Sequence, residues 1–353
     1  MNQEPSVSPS DTASNEQISN ESSAIFAPVD ASISSATMRA AVVIEPGRIE
    51  IQTVPKPEPE ARQARIQLEG CGVCASNLPP WEGKPWFSYP FSPGQLGHEG
   101  WGIVDAAGSE SSFKAGQRVA FLSDHAYAEY DVADDAAIVA LPPELDGQAF
   151  PGEPLGCALN IFRRSGITRG QTVAIIGIGF LGALLTRMAS QSGARVVAIS
   201  RRPYSLQVAQ QMGASETIAM DEHWKIIERV RELTDGVFCD VVIEAVGKQE
   251  PLDLAGELTR ERGRLIIAGY HQDGARQINM QLWNWRGLDV INAHERDPQI
   301  YRDGLRDAAQ EVAQNRFDPA PLYTHTFALE DLAQALDATR DRPDGFLKAL
   351  IRF

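Results

Sequence analysis

Thr172-Val173-Ala174-Ile175-Ile176-Gly177-Ile178-Gly179-Phe180-Leu181-Gly182 is an apolar run that passes into three glycines spaced G-x-G-x-x-G. Val173 to Ile176 reads as a strand buried on both faces. The apolar spacing from Leu181 to Ala189 reads as the helix that follows it. In such a strand–turn–helix unit each glycine has a task. Gly177 permits the tight turn, Gly179 lets backbone approach a pyrophosphate, and Gly182 lets the helix lie close to the strand. The first helical residues, Phe180 and Leu181, present free N–H groups and the positive end of the helix dipole to the phosphates. The stretch therefore predicts a dinucleotide site and, with it, redox chemistry. The plain alternative is a turn that needs glycine only for packing.

Downstream, Val196 to Ile199 is a second buried strand, followed by Ser200-Arg201-Arg202. An NAD site ordinarily has Asp or Glu here, about twenty residues on, to bind the ribose hydroxyls. A carboxylate would repel a 2′-phosphate, whereas arginine forks suit one. The missing acid and the paired arginines predict NADP(H) in preference to NAD(H). The alternative is two solvated arginines at a helix start. A helix from Ser205 to Met212 stops at Gly213, and strands follow at Val241–Glu244 and Arg264–Ala268. Apolar strands alternating with helices predict a doubly wound parallel sheet covered on both faces.

On either side of this unit the pattern changes. From Met38 to about Pro154 the chain reads as short strands between Gly and Pro turns, such as Ala64–Leu68 and Trp101–Val104, which predicts a compact β domain. After about Ala293 come two helices, near Arg302–Gln314 and Leu329–Arg340, and a last strand at Lys348–Arg352. Residues 1–37 contain no Lys or Arg and are rich in Ser, Asn and acids, so a disordered tail is expected there. Met38 is read as the true start, which an intact mass that includes residues 1–37 would disprove. No internal repeat is visible.

The chain is 353 residues long, 43% hydrophobic and 22% charged, enough for two domains with separate cores. No apolar run reaches the roughly 18 residues of a membrane span. A net charge of −15 argues against a nucleic-acid partner, which needs concentrated Lys and Arg. Four cysteines (Cys71, Cys74, Cys157, Cys239) are too few for a secreted disulfide scaffold, so a reducing compartment, the cytoplasm, is expected.

Three separated segments carry soft or borderline metal donors: Gly70-Cys71-Gly72-Val73-Cys74-Ala75-Ser76-Asn77, Gly97-His98-Glu99-Gly100 and Glu153-Pro154-Leu155-Gly156-Cys157. A catalytic zinc takes three such donors and keeps one position open. From spacing alone the C-x-x-C could equally be a redox pair, and His98 a structural histidine. Together and in this order, with the glycine fingerprint and a closing G-x-x-K strand, the segments resemble the zinc-type medium-chain dehydrogenase/reductase family, the alcohol and polyol dehydrogenases. The resemblance covers residues 38 to 353.

It implies a GroES-like β domain over 38–158, a Rossmann domain over 159–293, and a return to the first domain over 294–353. It implies one catalytic zinc per chain. Cys74 resembles the first ligand, Cys71 the non-ligand before it, and His98 the second ligand. Cys157 stands where alcohol dehydrogenases have a third ligand and is favoured for that role. Glu99 resembles a direct ligand of the polyol dehydrogenases, and Glu153 an acid that holds the zinc-bound water. Ser76 resembles the hydroxyl that takes the substrate proton. Pro79 stands where many relatives have the histidine that passes it on, leaving the relay to water, Glu153 or the cofactor ribose. Asn77 replaces a common Asp. Lys348 resembles a basic residue that touches the pyrophosphate.

The expected reaction is hydride transfer between NADP(H) and a secondary alcohol or ketone, such as a polyol, sugar or cyclitol. The alternatives are a zinc-independent reductase of quinones or enones, and a non-catalytic NADP-binding protein. Relatives dimerise near Leu282–Arg286, so a homodimer or homotetramer is implied. Cys239 and His125 are read as structural. His271 and His294 are expected at loops on the nicotinamide side. Trp81–Phe87 is read either as a substrate wall or as packing at a domain edge.

Overall fold

The computed structural model describes residues 37–353. The tail expected over 1–37 lies outside them, apart from Thr37, which opens the first strand. In chain order the strands are β1 (Thr37–Glu45), β2 (Arg48–Pro55), β3 (Gln63–Val73), β4 (Gly100–Ala107), β5 (Arg118–Phe121), β6 (Tyr130–Asp134), β7 (Ile138–Ala140), β8 (Thr172–Ile176), β9 (Arg195–Ser200), β10 (Glu216–Ala219), β11 (Cys239–Glu244), β12 (Thr259–Ile267), β13 (Asp289–Asn292), β14 (His325–Ala328) and β15 (Ala349–Arg352). The helices are α1 (Leu78–Trp81), α2 (Gly152–Ser165), α3 (Phe180–Gln191), α4 (Pro203–Gln211), α5 (His223–Leu233), α6 (Gln249–Leu258), α7 (Met280–Arg286), α8 (Pro298–Ala313) and α9 (Leu332–Asp341).

Strands β8 to β13 form a six-stranded parallel sheet in the order β10-β9-β8-β11-β12-β13. That is the Rossmann order, with strand direction of travel reversing between β8 and β11, where ligands of such sheets bind. Val173, Ala174, Ile175 and Ile176 have no exposed surface, as a strand covered on both faces requires. The other sheet is largely antiparallel, ordered β14-β15-β3-β4-β5-β7 with β6 on β3; β1 and β2 form a separate ribbon. Its two last-made strands, β14 and β15, come from the C-terminus, so the chain returns to the sheet it began. The fold is α/β, a GroES-like β domain joined to a Rossmann domain.

One core cluster joins the two halves. It holds Trp101, Ala120 and Val139 of the first sheet with Leu155 and Leu159 of α2, Leu184 and Leu185 of α3, and Leu305 and Ala308 of α8. Each fully buried aliphatic side chain contributes about 1.5–3 kcal/mol, so this junction is a packed interior. Helices α2 and α8 touch backbone to backbone. A Cβ on Gly156 would lie 2.7 Å from the Leu305 amide nitrogen. Tyr301 of α8 thereby reaches Glu153 and Cys157 of α2. Cys239 begins β11 fully buried among Ile176, Val242 and Leu265, and burial pushes its thiol up to about 12. No helix among the described residues is long and apolar enough to cross a membrane.

Candidate active site

Strand β3 ends at Val73, and Cys74 caps the short turn Ala75–Asn77, its sulfur accepting the Ser76 N–H at 3.5 Å. His98 and Glu99 lie immediately before β4. One donor atom from each of Cys74, His98 and Glu99 lies within 4.8 Å of the others. Leu96 holds this turn in the left-handed region, at φ 82°. A side-chain-bearing residue there is strained, and such strain clusters at functional sites. The Leu96 carbonyl meets His98 Nδ1 at 2.9 Å and accepts Asn77 Nδ2–H at 3.0 Å. With Nδ1 engaged by that carbonyl, His98 turns Nε2 toward Ser76, 3.5 Å from its Oγ. Asn77 Oδ1 accepts the buried Tyr127 hydroxyl at 2.9 Å.

The cluster carries a surplus of negative charge. Burial would push His98 down, but the Cys74 sulfur together with the charges of Glu153 and Glu99 outweighs it and raises the imidazole to about 10. Glu99 has no exposed surface, and both of its carboxylate oxygens lie 2.6 Å from Lys348 Nζ. A thiol, an imidazole and a carboxylate converging on one point fit a zinc ion.

Two site residues go elsewhere than expected. Cys157 was favoured as third ligand, but it lies outside the converging trio. Its sulfur is 3.2 Å from Glu153 Oε1, one turn earlier on α2, and 3.0 Å from the Tyr301 hydroxyl on α8. Tyr301 also hydrogen-bonds Glu153. The close packing of α2 on α8 thus supplies partners that leave the thiol engaged. Lys348 was expected on the pyrophosphate, yet its ammonium is buried and bound to Glu99 and to the Val73 carbonyl at 3.0 Å. A buried ammonium needs a paired carboxylate, and Glu99 is the one within reach. Lys348 Nζ remains 5.3 Å from the ring of Phe180, which stacks on Tyr323.

The glycine loop sits at the switch point of the parallel sheet. Gly177 has φ 97°, and a Cβ there would lie 2.4 Å from Val246 Cγ2. At Gly182 a Cβ would lie 2.0 Å from the Gly177 carbonyl, so this glycine permits the turn and the helix to close on each other. A Cβ on Gly179 would meet nothing within 4 Å, and Gly179 caps α3 without a side-chain bond. Open space before free helical N–H groups fits a pyrophosphate.

The arginines beyond β9 do not act as a pair. Arg201 is exposed and ion-paired with Glu250 of α6. Arg202 is half-buried at the cap of α4, and its Nη1 donates to the Phe346 carbonyl at 2.5 Å. The helix begins at Pro203, two residues before the expected start, because proline suits the first helical position. His271 lies 2.9 Å from buried Glu244 and accepts from Arg276 Nε at 2.9 Å. His294 packs on Tyr270, with a buried Nε2 that has no partner. His125 is exposed in a bridge to Gly97. The aromatic segment divides: Trp81 is buried and donates to Asp337 at 2.9 Å, whereas Trp86 is 57% exposed. Sequence reasoning missed Leu96 and Tyr301, neither of which belongs to a spaced motif.

Two family descriptions match the chain: an alcohol dehydrogenase GroES-like domain over residues 60–146 and a zinc-binding dehydrogenase over residues 181–310. The chain belongs to the zinc-type medium-chain dehydrogenase family. Like other members, this dehydrogenase is an oxidoreductase of the alcohol dehydrogenase type. It is 24% identical to a sorbitol dehydrogenase of Halalkalibacterium halodurans, over 83% of this chain and 93% of that protein. A zinc-binding dehydrogenase of Sinorhizobium meliloti, solved with NADP, is 25% identical with a TM-score of 0.78, covering 90% of this chain and 100% of that one. An Escherichia coli alcohol dehydrogenase, solved with NADH, shares the fold at 20% identity and a TM-score of 0.79, covering 90% and 99%. Since both cofactors occur on the same fold, cofactor choice rests on local residues.

Proposed function

We propose that this dehydrogenase transfers hydride between NADP(H) and a secondary alcohol or its ketone, with a polyol, sugar or cyclitol as substrate class. One catalytic zinc per chain would be held by Cys74, His98 and Glu99. The observation that carries this reading is the convergence of those three donors within 4.8 Å. When bound, zinc supplies Lewis acidity to a substrate oxygen, and the nicotinamide supplies or takes the hydride.

The chain's own residues bind, orient and move the proton. Ser76 Oγ, beside His98 Nε2, takes the proton of the substrate hydroxyl. Pro79 cannot pass it on, and Glu153 is the protein acceptor whose charge reaches His98. Tyr301 and Cys157 hold Glu153 in place from two helices. Gly177, Gly179, Phe180, Leu181 and Gly182 receive the pyrophosphate. Ser200, with no carboxylate beside it, and Arg202 face the adenosine ribose. A carboxylate rather than a second thiol in the donor trio supports the polyol side of the family.

The domain division is read as 38–158, 159–293 and 294–353. The exposed edge strand β13 and Trp285, 84% exposed on α7, support a homodimer or homotetramer. Cytoplasmic location and the absence of nucleic-acid or membrane partners belong to the same reading.

The test joins metal analysis to a panel of polyols, sugar alcohols and ketones assayed with NADP⁺ and NADPH. The expected result is close to one zinc per chain, activity lost on chelation and restored by zinc, and turnover on secondary alcohols. Full activity without zinc overturns the ligand assignment, and a preference for NAD(H) overturns the cofactor assignment.

A further inference from the structure

Hydride transfer depends on the spacing of two groups that different halves of the molecule hold. The Cys74–Ser76 turn follows β3 of the first sheet, and the glycine turn follows β8 of the parallel sheet. Reacting atoms have to be set to within about 0.5 Å. Among the described residues one hydrogen bond joins the Cys74–Ser76 turn to the Rossmann half. In it, Gln272 Nε2–H donates to the Ala75 carbonyl at 3.4 Å. Ala75 stands between Cys74 and Ser76, and the same carbonyl accepts the Leu78 amide.

The loop that carries Gln272 follows β12 and is braced from within. Glu244 ends β11 with no exposed surface. Its Oε1 accepts the Val246 and Gly247 amides at 2.7 Å each, and its Oε2 lies 2.9 Å from His271 Nε2. His271 Nδ1 accepts from Arg276 Nε at 2.9 Å, and Arg276 Nη2 donates to the Gly247 carbonyl at 2.8 Å. Arginine only donates, so Nδ1 carries the lone pair and Nε2 the proton that Glu244 accepts. Both ring nitrogens are taken, so His271 serves the loop and not a substrate. Asp273 adds ion pairs to Arg276 and Lys248. A Cβ on Gly269 would lie 2.2 Å from the Gly247 amide nitrogen, so the loops after β11 and β12 pack backbone against backbone. Val246 of the first loop lies in turn against Gly177. A continuous line of contacts therefore runs from Gly177 through Val246, Glu244, His271 and Gln272 to Ala75.

We propose that Gln272 is a positioning residue for hydride transfer, holding the Cys74–Ser76 turn in register with the glycine turn, and that His271 fixes the loop from which Gln272 reaches. The proposal rests on the reading of Cys74 as a zinc ligand and Ser76 as the proton acceptor.

The test follows amide hydrogen exchange by mass spectrometry in the full chain and in its Gln272→Glu, His271→Leu and His271→Gln variants. Thermal unfolding, zinc content and steady-state kinetics with a secondary alcohol accompany it. Gln272→Glu keeps the shape of the side chain and removes the donor. It is expected to raise exchange over residues 75–78, where the Ser76 and Asn77 amides bond back to Cys74, by about two- to tenfold. kcat should fall by a similar factor, with the cofactor KM, zinc content and unfolding temperature unchanged. His271→Leu should raise exchange over both 75–78 and 270–276, and His271→Gln, whose amide again donates to Glu244, should recover part of both. Wild-type exchange over 75–78 in Gln272→Glu overturns the tether. Raised exchange there with kcat unchanged overturns the positioning role. A lower unfolding temperature with kcat and KM altered together marks a structural role and also overturns it. A wild type without zinc and without turnover overturns the reading of the site, and the positioning role with it, whatever exchange shows of the tether.

Discussion

The donor cluster around His98 and the stretch beyond β9 carry opposite charge. At one end Cys74, Glu99 and Glu153 surround His98 and keep its imidazole high, a set of donors waiting for a cation. At the other, beyond β9, Arg202 donates to the Phe346 carbonyl and has no ion pair among the described residues, while its neighbour Arg201 pairs with Glu250. A net charge of −15 foretells neither. Recognition is set by charges within a few ångströms, because water and salt screen the rest. The two ends also differ in burial. Glu99 and Lys348 have almost no contact with solvent, whereas Arg201 is exposed and Arg202 half-buried. Losing a partner should therefore cost stability at the first end and selectivity at the second.

The largest effect is expected from Cys74→Ala. It removes one of three converging donors, so bound zinc should be lost in metal analysis. Lewis acidity is worth several kcal/mol, so turnover should fall by about a thousandfold or more. Unchanged zinc content and turnover would erase the contrast between the two ends.

Next is Lys348→Met, which leaves the Glu99 carboxylate buried without its ammonium. Breaking a buried pair from one side costs about 3–5 kcal/mol. Denaturant unfolding should show that loss in zinc-free protein and a smaller one in zinc-loaded protein, where a second cation faces Glu99. An equal loss with and without zinc would mean that Glu99 serves only Lys348.

Tyr301→Phe removes the hydroxyl shared by Glu153 and Cys157 and adds no bulk. Groups that orient a metal site from behind are worth about 10–100-fold in activity or metal affinity. The variant should lose turnover within that range and keep its unfolding temperature within a few degrees. Unaltered kinetics would show that Glu153 needs no support from α8.

The smallest effect concerns Cys239, which belongs to neither end. Its thiol is raised to about 12 from 9.0 by burial first and by Asp240 second. The folded state therefore holds this proton where the unfolded state releases it. The contribution to stability is intact below about pH 9 and declines as pH climbs from there toward 12. Alkylation of native protein near pH 8 should leave Cys239 unmodified whether or not zinc is present, whereas chelation should expose Cys74. Labelling of Cys239 in the native state would contradict the packed core beneath β11.

The elements that sequence reasoning found are those whose signal lies in neighbouring residues. The β8–turn–α3 unit, β9 and β11 were readable because strands buried on both faces are continuous apolar runs. The short edge strands β10 and β13 were not, since each is half covered and has no clean period. Cys74 and His98 stood in recognisable segments. Tyr301 did not, because it acts across α2 and α8, 144 residues from Cys157.

By itself, then, the sequence determined the alternation that makes a parallel sheet, the glycine turn at its switch point, and an inventory of donors suited to zinc. Tertiary structure alone decided their assignments. It gave Cys157 to Glu153 and Tyr301, gave Lys348 to Glu99, and separated Arg201 from Arg202. The reason is physical: periodicity and turn chemistry are local, whereas the partner of a buried polar group is whichever group packing brings within hydrogen-bond reach. Where Gly156 lets two helices meet, a tyrosine reaches the thiol, and no local pattern in the chain could announce it.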